Sequence, residues 1–504
     1  MTGDETDPAI AEGENRSLTR HTLHGVFWIT MGRLLKAPVN LIAVAVLARM
    51  LTPSDFGVIA IGMIVVSLSN VMVDGSFGMI LIQRRELDPK VIGASVALSS
   101  AMAVLFAVVI VAVAPFVERE FNFPQLSNVL IALGGVLPVT AVTMITTALL
   151  QRSFQFGTLT INSLLAQVCY AATGIALAFT GYGLWSLVWA QVVSFTVEAG
   201  LGFLAVRNRY NVQISTAAMK DVLKSGGLFT LSRLLNLGAT TIDRIVIGRF
   251  LGAAQLGLYN RASTLLVTAR EVTGAGPIRV LFSTFAKIQH HPERLARAYL
   301  RALTLSLIVA ALVSAFVVVN SEVIVRILLG PRWLQAIPLL QVLFSAFIAR
   351  IGYVVAEAVP LALGLSGQSA LRQGAQFLLV TIGAVAGTPF GVLGATIGIA
   401  VGYWIFYFLC LLLVQKLLPV KWSEIFRLHL NCLLVAFAPT FGAVAARLLI
   451  GGHNVFLELI PAAIFGLVSA AVLMVAPAWL VSEDIVRARR HALQKLRTLV
   501  PRLA

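Results

Sequence analysis

Ionisable side chains stand inside long apolar runs of this 504-residue chain. Arg33 and Lys36 lie in a first run near 23–48, about 60° apart on a helical wheel and so on one face. Arg233, Asp243 and Arg244 lie in a run near 228–250. There the two arginines are eleven residues apart, about 20° on the wheel, and line one stripe. Arg270 and Glu271 fall mid-way along a run near 256–280. Arg350 and Glu357, again about 20° apart, share one near 337–363. In a lipid-crossing helix each such group costs at least about 2.5–3.5 kcal/mol at the bilayer centre, so it faces a cavity or a partner. The deep cations Arg33, Lys36, Arg233, Arg244, Arg270 and Arg350 outnumber the deep anions Asp243, Glu271 and Glu357. A cleft with surplus positive charge suits an anionic cargo, and the arginine fork matches phosphate oxygens. Two readings stay open for the acids: structural counter-ions, or proton or sodium sites. Arg33 and Arg233, close to helix ends, have snorkelling to the headgroups as their alternative. Arg49 and Arg249 read as loop or interface anchors.

The elements that must carry these charges are membrane helices. The chain is 58% hydrophobic and 12% charged, with a mean hydropathy of +0.90. Soluble domains carry roughly 25% charged residues. Strand-type alternation is absent, which argues against a β-barrel. Apolar runs of about 20 residues recur, the length that crosses a bilayer as a helix, and only a helix then satisfies its own backbone polar groups. The net charge of +16 sits mostly in short loops and the C-terminal tail, where orientation and anionic headgroups account for it. Nucleic acid is not an expected partner. Cys169, Cys410 and Cys432 lie in apolar runs without disulfide or metal spacing and read as small core residues.

The expected fold is all-α and polytopic, with about fourteen transmembrane helices. The organisation is a polar, disordered cytoplasmic tail over 1–22 that is not a signal peptide, a first six-helix bundle over 23–206, and a cytoplasmic linker with an interfacial helix over 207–227. A second six-helix bundle follows over 228–415, then transmembrane helices 13–14 over 416–480 and a basic cytoplasmic tail over 481–504. Arginine and lysine asymmetry between alternate loops places both termini in the cytoplasm. Residues 27–57 recur at 227–257: Arg33-Leu34-Leu35 matches Arg233-Leu234-Leu235, Arg49-x-Leu51 matches Arg249-x-Leu251, and Gly57 matches Gly257. Six spans separate the copies, so both enter the membrane from one side. That is a parallel repeat, with the two bundles facing each other across a central cleft, the mark of a secondary transporter. Pro38, Gly274-Ala275-Gly276-Pro277 and Pro360 are places where these helices could kink or unwind.

Catalytic constellations are missing. The histidines, His21, His24, His290, His291, His429, His453 and His491, read as loop, tail or helix-end residues without a paired nucleophile. No phosphate-cradling Walker loop occurs. No enzyme activity, cofactor or metal is expected.

The chain resembles the Wzx-type polysaccharide exporters of the multidrug/oligosaccharidyl-lipid/polysaccharide flippase superfamily, in their colanic-acid and teichuronic-acid exporter group. Carrying the resemblance are Arg49-Met50-Leu51-Thr52-Pro53-Ser54-Asp55-Phe56-Gly57, and Asp74-Gly75-Ser76-Phe77-Gly78 running into Ile82-Gln83-Arg84. Leu256-Gly257-Leu258-Tyr259-Asn260-Arg261-Ala262, Val280-Leu281-Phe282 and Gly330-Pro331-Arg332-Trp333 add to it. Ser283 departs, because relatives often place a proline there. The resemblance implies flipping of an undecaprenyl-diphosphate-linked oligosaccharide from the cytoplasmic to the periplasmic leaflet of a bacterial inner membrane. It implies a V of two six-helix bundles and a groove for the lipid tail on the extra helix pair. Membrane lipids, and the polymerase and chain-length proteins of the same pathway, would be the partners. The rival readings are a drug/cation antiporter, which calls for an excess of deep acids, and a membrane glycosyltransferase, which calls for a sizeable periplasmic loop.

Overall fold

A computed structural model describes residues 8–74, 77–84, 86–365, 367–450, 460–461 and 463–469. All the regular elements among them are helical. The chain divides into two compact units, Met1–Leu237 and Gly238–Ala504.

The first unit holds α1 (Pro8–Met50), α2 (Pro53–Asp74), α3 (Phe77–Gln83), α4 (Pro89–Phe121), α5 (Leu126–Gly134), α6 (Leu137–Arg152), α7 (Phe156–Phe179) and α8 (Leu184–Val206). Helix α1 begins at Pro8, so residues 8–22 are helical where a disordered tail was expected. A proline in the first turn is pre-set for a helix start, and its missing N–H costs nothing there. The turn into α2 is a capping box. The Thr52 N–H and hydroxyl both donate to Asp55 Oδ2 at 2.8 Å, and the Asp55 N–H donates back to Thr52 Oγ1 at 3.3 Å. Helix α4 starts under Asp88, whose carboxylate accepts from the Lys90 N–H. Arg152 at the end of α6 closes α3. Its Nη1 donates to the carbonyls of Leu81 at 2.8 Å and Arg84 at 2.5 Å, groups a helix end leaves without partners.

The long helix α9 (Thr216–Lys287) crosses the boundary between the units, and Gly252, at φ 87 and ψ 173, breaks it. Only glycine takes that backbone without strain. Residues 216–225 are the opening turns of α9 rather than a separate interfacial helix. No other residue of α9 leaves helical geometry, so the helix continues through Gly274–Pro277.

The second unit continues with α10 (Pro292–Val319), α11 (Ser321–Leu328), α12 (Ala336–Ser345), α13 (Phe347–Ala362), α14 (Gly367–Gly387), α15 (Gly391–Leu417) and α16 (Trp422–Ile450). Two expected single spans are interrupted helices. Between α5 and α6 the axis bends by 44°, and α12 passes to α13 through Ala346. A hydroxyl hydrogen bond ties each interruption to a neighbouring helix. Thr140 donates to Asn70 Oδ1 at 2.7 Å, and Ser314 donates to the Phe344 carbonyl. Helices α14 and α15 approach backbone to backbone. A Cβ on Gly383 would collide with the Gly398 carbonyl, one on Gly387 with that of Gly394, and one on Gly402 would stand 2.9 Å from the Leu379 oxygen. Small residues at four-residue spacing are how membrane helices reach such proximity.

Eight stretches of the described residues are long and apolar enough to cross a membrane, nine if α5–α6 counts as one span. Helices α1 and α9, which carry many of the deep charges, are not among these. Most of the expected fourteenth span and the basic tail 481–504 lie outside the described residues.

Candidate functional site

The deep charges resolve into pairs. In the second unit, α9 contributes Asp243 and Tyr259 from either side of the Gly252 break. The Tyr259 hydroxyl donates to Asp243 Oδ2 at 2.5 Å, and the Arg244 N–H donates to Oδ1 at 2.8 Å. Both side chains are buried, Tyr259 completely. Arg350 on α13 donates from Nη2 to the Tyr403 hydroxyl of α15 at 2.9 Å, and its Cζ stands 4.1 Å from that ring's centroid. Tyr353 stacks near Tyr403, with ring centroids 6.2 Å apart and tilted by 21°. Arg350 is also within electrostatic reach of Tyr259 and Asp243, and Gln376 of α14 hydrogen-bonds Tyr403. An arginine laid on an aromatic face keeps its charge at reduced cost, and a carboxylate nearby offsets the rest.

Glu357, expected as a deep acid, forms an ion pair. Arg372 Nε donates to its Oε1 at 2.7 Å, with side chains 13% and 16% exposed. Cys410 Sγ lies 3.9 Å from the same oxygen. Arg372 sits on the second turn of α14 and reaches Glu357 of α13 from there. Its Nη1 and Nη2 are buried with no hydrogen-bond partner among the described residues. His429 likewise belongs to α16 rather than a loop. Nδ1 faces the Ile425 carbonyl at 2.8 Å and so donates, and in the neutral ring Nε2 accepts from the Tyr407 hydroxyl at 2.9 Å.

In the first unit Arg233 pairs with Asp74, at the end of α2. Arg233 and Arg244 stand eleven residues apart on the unbroken part of α9 ahead of Gly252, Arg233 in the first unit and Arg244 in the second. Lys36 on α1 has Glu198 of α8 within electrostatic reach. Asp74 and Glu198 were not counted among the deep acids. Each stands in or beside an apolar run, which is the signal that could have found them. The side chains of Arg33 and Glu271 lie outside those described. Two of the six candidate cations, Arg244 and Arg270, have no carboxylate partner among the described residues, and Arg244 Nε is buried without a hydrogen bond. Both are on α9. At about 1.5 Å per residue they stand about 12 Å and about 27 Å from the Gly252 break. Arg244 stands before the break and Arg270 after it, so the two spare guanidiniums lie on opposite arms of α9, and each can receive phosphate oxygens. No cluster of metal-ligating side chains occurs among the described residues.

Residues 46–338 match a family model described as polysaccharide biosynthesis protein. The chain is 24% identical to the lipopolysaccharide biosynthesis protein WzxC of Escherichia coli (strain K12) over 338 residues, 65% of this chain and 67% of that one. It is 24% identical to the teichuronic acid biosynthesis protein TuaB of Bacillus subtilis (strain 168) over 339 residues, 66% and 70% of the two chains. Among solved structures, the lipid II flippase MurJ in an inward closed conformation superposes with a TM-score of 0.74 at 13% identity. That match covers 89% of this chain and 97% of the other and shows a shared fold.

Proposed function

The chain belongs to the polysaccharide biosynthesis protein family, as a Wzx-type member of the multidrug/oligosaccharidyl-lipid/polysaccharide flippase superfamily, and on that premise we propose that it carries a polyprenyl-diphosphate-linked oligosaccharide repeat unit across the bacterial inner membrane. The direction is cytoplasmic to periplasmic leaflet, by alternating access through a cationic cavity, for exopolysaccharide or lipopolysaccharide synthesis. Transport, not catalysis, is its work.

The observation that carries this reading is the pair of uncompensated arginines on α9. Of the deep acids whose side chains are described, Asp74 pairs with Arg233 and Glu357 with Arg372, while Glu198 has Lys36 and Asp243 has Arg350 within electrostatic reach. Arg244 and Arg270 are left for a ligand. A drug/cation antiporter calls for the reverse, acids left over. Relatives named for lipopolysaccharide and teichuronic acid biosynthesis, and a structural neighbour named as a lipid II flippase, agree with a polyprenyl-linked cargo. In the proposed cycle the diphosphate moves between Arg270 and Arg244 while the polyprenyl tail stays in lipid. Of the coupling candidates, Glu357 has the clearest chemistry. Its protonation frees Arg372, two of whose nitrogens already lack partners. Asp243, locked by Tyr259, acts as a counter-ion.

The test is polymer export in cells carrying Arg244→Ala and Arg270→Ala, singly and together. The double variant accumulates the lipid-linked repeat unit and loses surface polymer, and lysine at either position restores part of it. Loss of one charge-assisted contact of about 1.5–3 kcal/mol predicts a roughly 10- to 100-fold slower flux for each. Normal export by the double variant at normal abundance overturns the reading.

A further inference from the structure

A cavity of about 230 Å³ opens in the first unit between α4, α6 and α8. Its walls follow helical spacing. Ile92, Val96 and Ser100 come from one face of α4, and Ile145 and Leu149 from one face of α6. From Ile92 to Ser100 the cavity runs about 12 Å along α4. The lining is apolar for most of that length. At one end the chain leaving α8 crosses it, placing Arg207, Tyr210 and Val212 at the mouth. That mouth is held in place: the Gln213 N–H donates to the Pro89 carbonyl at 3.1 Å, and Gly93 lies so close beneath Gln213 that any Cβ would overlap its carbonyl. An apolar hollow of about 150 Å³ already binds a small hydrocarbon. This one is larger, and it opens between helices whose outer faces, at Val142 and Phe203, are exposed.

Charge identifies the occupant. Arg207 is exposed, and neither its guanidinium nor the Tyr210 hydroxyl has a hydrogen-bond or ion-pair partner among the described residues. An arginine and a tyrosine at the rim of a lipid-crossing bundle match a phosphate at the interface. Arg207 is the one cation in the lining, which suits the single phosphate of a phospholipid. A diphosphate would find no second charge there. We propose that this cavity binds an anionic glycerophospholipid, one acyl chain between α4 and α6 and the phosphate on Arg207 and Tyr210. The site is separate from the arginines of α9 and does not depend on the transport reading.

The full chain in nanodiscs, with phosphatidylglycerol bearing a photoreactive diazirine on its acyl chain, tests this. Mapped adducts should fall on 92–100 and 141–149. Unlabelled phosphatidylglycerol should compete for them and phosphatidylcholine should not. Arg207→Ala should lower that labelling about fivefold, the worth of one interfacial cation, and Val142→Trp should abolish it by filling the apolar hollow. Arg207 and Val142 are both exposed, so both variants should fold. Equal labelling by a phosphatidylcholine probe, labelling unchanged in Arg207→Ala, or competition by a polyprenyl diphosphate alone would each overturn the proposal.

Discussion

Asp243 and Tyr259 illustrate what a buried charge requires of its neighbours. The carboxylate is 5% exposed and its Oδ2 takes the Tyr259 hydroxyl at 2.5 Å. Tyr259→Phe removes that donor without changing the packing shape. A lowered thermal unfolding midpoint is expected, equivalent to about 1–3 kcal/mol, and an unchanged midpoint would show that the bond contributes nothing. The Glu357–Arg372 pair gives a sharper case. Glu357→Gln leaves a buried guanidinium unpaired and should cost about 3 kcal/mol. The double change Glu357→Gln/Arg372→Met should recover much of that loss in the same unfolding assay. Additive losses would mean that the two side chains do not support each other. The existence of these charges was legible in the sequence, because they interrupt apolar runs. Their partners were not. A helical wheel relates residues on one helix, whereas Arg233 finds Asp74 159 positions away and Arg350 finds Tyr403 53 positions away. The count of cations against anions left out Asp74 and Glu198, and among the described residues Arg244 and Arg270 keep no carboxylate partner.

Helix boundaries were read best where turn chemistry is local. Thr52-Pro53-Ser54-Asp55 announces the start of α2, and the capping box delivers it. Thr388-Pro389-Phe390-Gly391 announces the turn between α14 and α15, where Gly391 has a φ of 74°. Interruptions inside apolar runs were missed. Gly134-Gly135 with Pro138 marks the first in the sequence, but nothing at Ala346 marks the second, and each bend is tied to a neighbouring helix by a hydroxyl hydrogen bond. The Gly383/Gly387 and Gly394/Gly398 pairs were legible in principle, as small residues at four-residue spacing. Gly398→Val forces α14 and α15 apart. Overpacking of this kind costs about 1–3 kcal/mol, so the purified variant should unfold at a lower temperature. The same substitution at Gly200, where a Cβ meets nothing within 4 Å, should leave the midpoint unchanged. Equal effects at both glycines would refute the close-packing argument.

The membrane class, the helical fold and the family follow from composition, apolar run length and the Arg49–Gly57 and Leu256–Ala262 motifs, and the fold shared with a solved flippase agrees. Boundaries between working parts were less legible, because α9 carries one helix across the junction at Leu237–Gly238 where a separate linker helix was expected. The proposed activity as a whole rests on transfer of a phosphorylated lipid between leaflets with the help of Arg244 and Arg270. It is tested most directly in proteoliposomes loaded with a fluorescent polyprenyl-diphosphate-linked oligosaccharide. The quantity measured is the rate at which the label on the inner leaflet becomes accessible to a membrane-impermeant quencher outside. The wild-type chain should move the label, and the Arg244→Ala/Arg270→Ala variant should do so at least about tenfold more slowly. Equal rates in the two, or no movement above protein-free vesicles, would contradict it.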